Sequence, residues 1–224
     1  MSMAAKHIAI GGALGSMFVL AASVCHGQDG HIGTRAFAIV LAQHGVPCGV
    51  VAPEVVLAWR PGDPRREATF EIEAPFGRGL PSTLERFNVR NGVFQATQVA
   101  GLVHLRSSDE PLEVTAMLER EAPLDADIDA PAGAILPQVA AAVRGGEVRG
   151  IIGTGPRPGP ESLLGRRIRL DRGRRSAISI LDDVVRQVPG LVWFATYNRG
   201  LPSQDLKVGL MERDGTWLAL GVSP

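Results

Sequence analysis

The chain has 224 residues, 45% of them hydrophobic and 21% charged, with 23 basic and 23 acidic side chains. A balanced charge gives no overall pull toward nucleic acid or an anionic membrane surface. The apolar content is that of a chain able to bury a core, which excludes a disordered or low-complexity protein.

Residues 1–27 have the three parts of a secretory signal peptide. Lys6 is the only Lys or Arg before Arg35. A charge-free run from Ile8 to Ala22 follows, and then a short polar stretch, Ser23 to Gly27, with small residues suited to cleavage. Cleavage after Gly27 is expected, with Ala21 and Ser23 as a second option, and the mature protein is then periplasmic or secreted. Retention as an anchor is the alternative. The run is shorter than the ~20 residues a spanning helix needs, and Gly11, Gly12 and Gly15 interrupt it. Lipidation at Cys25 fits poorly, because Val24 stands where a small residue is wanted. No later run is long enough to span a membrane. Removing the signal takes away Lys6 and no acid, leaving a net charge of about −1. It also removes Cys25, so Cys48 stands alone and no intramolecular disulfide can form.

In the mature chain, Thr34 to His44 predicts a helix with Phe37, Val40 and Leu41 on one face, ended by Gly45. Val46 to Val51 reads as a strand, Val55 to Trp59 as further apolar surface, and Arg60 to Pro64 as a loop. Thr69 to Glu73 alternates as a half-buried strand. Leu80 to Asn91 predicts the second helix, buried through Leu80, Leu84 and Phe87. Ser82 and Glu85 fit a capping box that would start it near Ser82. Val93–Gln98 and Leu102–Arg106 form a hairpin across Val99-Ala-Gly101. Asp125–Asp129 is short and extended. Ala134–Arg144 is helical, with Ile135, Leu136, Val139 and Val143 buried. Val148–Ile152 is a strand, and Gly153–Pro160 a loop that could not sit inside a regular element. Arg167–Leu170 is a strand. Ser176–Val188 is a strong helix with Ile180, Leu181, Val184, Val185 and Val188 on its apolar side. Leu191–Tyr197, Leu206–Met211 and Trp217–Val222 are strands, with Asp214-Gly215 a turn.

The two halves repeat one pattern. Phe70 to Arg106 reads strand, helix, Asn91-Gly-Val-Phe-Gln-Ala-Thr97, returning strand. Ile168 to Leu210 reads strand, helix, Pro189-Gly-Leu-Val-Trp-Phe-Ala-Thr196, returning strand. The expected fold is α+β: a signal peptide over 1–27, a first βαββ-type module over 28–110 and a diverged second over 111–224. Each would have a small mixed or antiparallel sheet packed on helices.

Leu41-Ala-Gln-His-Gly-Val46, Thr69–Glu73, Leu84 to Gly92 and the hairpin to Arg106 resemble the secretin and TonB short N-terminal domain. Ala130 to Leu210 resembles a diverged second copy. The resemblance implies a periplasmic module that makes protein–protein contacts and carries no catalytic residues. In that family the module precedes a secretin core or an outer-membrane barrel, and the resemblance here covers only the module.

Asp125, Asp127 and Asp129 alternate, so in a strand they share one face about 7 Å apart. That could hold a hard cation such as Ca²⁺. No Glu completes a calcium loop, and a solvated strand edge with no bound metal is the expectation. Arg166 to Arg175 contains six arginines. Arg167 and Arg169 are outward positions of a strand, and Arg172, Arg174 and Arg175 fall in the turn before a helix. Together they form a candidate surface for an anionic partner, without the interleaved aromatics of a nucleic-acid binder. Trp193 and Trp217 are candidate aromatic contacts, since alternation turns either Trp193 or Phe194 outward. Core packing of both is the competing expectation. Cys48 lies in an apolar segment and is expected to be buried; a thiol nucleophile paired with His44 or His104 is the alternative. No metalloprotease, nucleophile-elbow, phosphate-loop or dinucleotide motif occurs.

These observations lead to an exported, non-enzymatic envelope protein without a cofactor, acting as a protein-interaction or binding module. Its expected partner is another envelope protein. The alternatives are a small-ligand or cation-binding protein using the cleft between the modules, and a thiol-dependent envelope hydrolase using Cys48.

Overall fold

A computed structural model describes residues 34–35, 37–53, 79–144, 151–154, 161–198, 200, 206–213 and 216–222. The signal segment, the expected strand Thr69–Glu73, the segments Val55–Trp59 and Arg60–Pro64, and the Asp214-Gly215 turn lie outside these residues. Among the described residues, α1 (34–43) leads into β1 (Cys48–Pro53). Then come α2 (Leu80–Arg90), β2 (Phe94–Val99), β3 (Leu102–Ser107) and α3 (Leu112–Glu119). The second half holds β4 (Glu121–Leu124), β5 (Ile128–Pro131), α4 (Leu136–Arg144) and β6 (Ile151–Thr154). It continues with β7 (Arg167–Leu170), β8 (Gly173–Ser176), α5 (Ala177–Gln187), β9 (Leu191–Tyr197), β10 (Leu206–Glu212) and β11 (Trp217–Val222).

The protein is a mixed α/β fold with helices on both faces of its main sheet. That sheet has seven strands in the order β2-β3-β1-β9-β10-β11-β6. β1 runs parallel to β3 on one side and to β9 on the other; the remaining pairs are antiparallel. Strands of both halves are thus joined in one sheet, where small separate sheets were expected. The reason is β1: all six of its residues are buried, so it needs a hydrogen-bonded neighbour on each edge and a packed layer on each face. Two short ribbons, β4–β8 and β5–β7, stand apart. α4 and α5 lie between these ribbons and the main sheet.

Alternation sorts the strand residues into two cores. Cys48, Val50, Ala52, Val103, Leu105, Val192 and Phe194 face α1 and α2. Val51, Leu102, Trp193, Ala195, Tyr197, Leu206, Val208 and Leu210 face the side of α3, α4 and α5. On the first face Phe37 of α1 stacks on Phe87 of α2, with ring centroids 4.4 Å apart. On the second, the indole of Trp193 covers Gly49, and a Cβ at that glycine would overlap the ring. A bulky aromatic and a glycine on adjacent strands fill one volume together.

Local sequence explains most boundaries. The hairpin turn falls on Ala100 and Gly101, with φ of 49° and 79°, as a tight two-residue connection requires. Ser176 caps α5, its side chain accepting from the Ser179 N–H at 3.2 Å. The helix beginning at Leu80 departs from expectation. It starts behind Gly79 with a proline in its first turn and without a side-chain cap. Ser82 instead donates its hydroxyl back to the Gly79 carbonyl at 3.1 Å, so the capping-box start is corrected. Gly153 and Thr154, expected in a loop, belong to β6. α3 was not anticipated; only Val114 and Leu118 of its eight residues are buried, too few for a periodic signal.

Candidate functional site

The arginine motif is largely engaged by acidic residues of this chain, Asp129 among them. Arg167 pairs with Asp129 at 2.9 Å, and Arg169 reaches the same carboxylate at 3.5 Å. Arg174 pairs with Glu121 at 3.4 Å, Arg175 with Asp183, and the Arg172 N–H donates to Asp127 at 2.7 Å. Arg174 and Arg175 lie in β8 opposite β4, and not in the turn that was expected. The hydrogen bond from Arg167, aided by the charges of Arg167 and Arg169, holds the Asp129 carboxyl below the ordinary aspartate range. Among the described residues no cluster of three metal-capable side chains forms. Asp129, in β5, answers arginines of the facing strand, and Asp127, outside the expected strand, accepts from the Arg172 N–H, a use of charge that the sequence motif alone does not reveal.

The aromatic candidates divide. Trp193 is 1% exposed and Phe194 2%, one on each face of β9, because both faces of the sheet are covered. Trp193 is therefore part of the core and not a contact surface. Trp217 is partly buried and meets Phe194 edge-on, with centroids 6.5 Å apart.

Cys48 is fully buried. Burial, reinforced by the negative charge of Asp182, pushes its thiol far up, away from the reactive thiolate. Its register partner is Val103, which shares its face, while His104 points to the other side of β3. The sheet therefore separates Cys48 from His104, and the pair cannot act as nucleophile and base.

His104 has a different partner that the sequence did not suggest. The Asp182 carboxylate on α5 sits 3.0 Å from His104 Nε2 and accepts from Trp193 Nε1–H at 2.8 Å. Asp182 is 9% exposed. It falls within the apolar stripe of α5 and serves as its polar anchor, which makes the buried indole N–H affordable. An acidic residue inside an otherwise apolar helical face, two positions past Ile180, is the signal that could have marked it.

A cleft of about 1050 Å³ lies at the end of the main sheet where β1 and β9 begin and β10 ends. It takes Gln43 and Gly45 from the first half, and Ser162, Arg166, Gly190 and Glu212 from the second. Gly190 has φ 98° and lies close against Leu163, a conformation that turns the chain into β9 without a side chain blocking the cleft. At its wall, Glu212 is 7% exposed. Its Oε1 accepts from the Ser162 hydroxyl and from the Leu164 N–H, the latter at 3.3 Å. Among the described residues its Oε2 has no hydrogen-bond or ion-pair partner. One oxygen thus ties the 3₁₀ turn Leu163–Gly165 to β10, and the other is left for whatever enters the cleft.

Compared with known protein families, curated proteins and solved structures, the chain matches none.

Proposed function

We propose that this is an exported, non-enzymatic binding module of the bacterial envelope, and that the cleft between its halves is its working surface. The observation that carries this reading is the cleft itself. Residues before β1 and residues around β7, β9 and β10 converge on it, and Glu212 is held there by one oxygen only. Concave sites with a few fixed polar groups are the usual form of a binding site. Non-enzymatic action is supported by the inert setting of Cys48. Export is supported by the charge-free run behind Lys6.

The resemblance to the secretin and TonB short N-terminal domain fits this role. Each half supplies a helix followed by an antiparallel hairpin, α2–β2–β3 and α5–β9–β10. We read them as two related units joined through β1. The partner is then another envelope component, recognised across both units.

Site-specific photo-crosslinking in the native envelope tests this. A photoreactive residue replacing Gln43, exposed at the cleft rim, is expected to give a discrete adduct. The same probe replacing Val89, 81% exposed on α2 and outside the cleft lining, is expected to give none. No adduct at position 43, or equal labelling at both positions, would overturn the reading.

A further inference from the structure

The cleft residues point to the chemistry of the ligand, an inference that rests on the cleft being the binding site. Glu212 is a carboxylate inside the protein wall, and two donors already fix its orientation. Its other oxygen has no protein donor among the described residues and is open to the solvent of the cleft, where water or a ligand can supply one. A charged donor gives the stronger bond. The atom is therefore placed to receive an ammonium group.

The rim carries charge of both signs, with Glu161 exposed beside two arginines. Arg166 and Arg213 line the same cleft, both exposed, and among the described residues neither guanidinium makes an ion pair. They differ in this from Arg167, Arg169, Arg174 and Arg175, which their own acidic partners engage. Guanidinium groups match carboxylates in shape and charge. The cleft volume of about 1050 Å³ is at the upper end for small-molecule sites, too large for a single ion. Leu163 and Pro189 give the lining an apolar share.

We propose that the cleft binds a short zwitterionic peptide segment, with its ammonium group on Glu212 Oε2 and its carboxylate on the Arg166 and Arg213 rim. The shared chemistry is an amine and a carboxylate separated by a few residues. A short free oligopeptide carries both groups.

The test is a titration of the isotope-labelled mature protein, followed by NMR, with three probes: trialanine, N-acetyl-trialanine and trialanine amide. Trialanine is expected to shift the amides of Gly190, Leu164 and Glu212 in a saturable way. Blocking the amine is expected to weaken it at least tenfold, and blocking the carboxylate to weaken it less. Glu212→Gln is expected to remove the difference between the free and acetylated peptides. A longer peptide ending in the same three residues has an amide where trialanine has its ammonium group, so it is expected to bind as weakly as the acetylated peptide; binding equal to trialanine would overturn the proposal. Shifts scattered outside the cleft, or equal affinity for the free and acetylated peptides, would overturn the proposal. Because the mapping is read on the unsubstituted protein, it stands even if Glu212→Gln fails to fold. Absence of peptide binding alongside a specific adduct at position 43 would reject the ligand class and leave the cleft reading intact.

Discussion

Asp182 joins three elements through one carboxylate. It sits on α5, takes the indole N–H of Trp193 from β9 and meets His104 of β3. Asp182→Ala would strand a buried N–H, a loss of ~1–3 kcal/mol for an unsatisfied group. His104→Ala should do less, because His104 is only part-buried and its removal leaves one acceptor lone pair, not a buried donor. Denaturant unfolding of both variants and of the double variant checks this. The two effects should be non-additive, since both residues act through one carboxylate. Additive losses would mean that Asp182 serves Trp193 alone. The surrounding packing has little slack: the indole lies over Gly49, which leaves it no alternative position.

Element boundaries were legible where one local rule dominated. α5 carries a serine cap and five buried apolar positions at helical spacing, and it forms within one residue of its expected limits at each end. The hairpin β2–β3 follows its Ala-Gly turn in the same way. The strand order was not legible, because parallel pairing of β1 with β3 and β9 joins residues far apart in sequence and leaves no local mark. The pairing of the charged site residues was not legible for a related reason: arginines and aspartates stand out as motifs, but which of them meet is tertiary. The border strand β2 shows a further device of this kind. Asn88 of α2 donates to the Ala96 carbonyl at 3.0 Å and accepts from the Ala96 N–H at 2.6 Å. Asn91 accepts from the Phe94 N–H at 3.1 Å. The two amides stand in for a neighbouring strand along the outward groups of β2, and this protects against edge-to-edge association. Asn88→Ala should therefore lower stability by ~1–3 kcal/mol and produce concentration-dependent self-association in sedimentation velocity. A variant that stays monomeric at all concentrations would show that the edge is protected by other means.

At the scale of the molecule, β1 decides how the halves depend on each other. It belongs to the first half by sequence, and its backbone groups pair with β3 on one edge and with β9 on the other, over six residues from Cys48–Val192 to Pro53–Tyr197. One of its faces completes the core beneath α1 and α2, and Val51 enters the core that holds α3, α4 and α5. A fragment spanning 28–110 would expose the β9-facing edge of β1 and the apolar side of Val51 and Leu102. A fragment spanning 111–224 would leave β9 without its parallel partner and Trp193 without the glycine surface it covers. Open edges of buried, apolar strands are the form of surface that associates non-specifically. Each half expressed alone is therefore expected to aggregate or to show poor amide dispersion, and the two halves refolded together are expected to give the spectrum of the intact chain. If either fragment is monomeric and well dispersed by itself, the shared sheet is a docking of two independent modules. The cleft would then be an interface able to open, and the affinity of any ligand held between Gln43 and Glu212 would include the equilibrium of that opening.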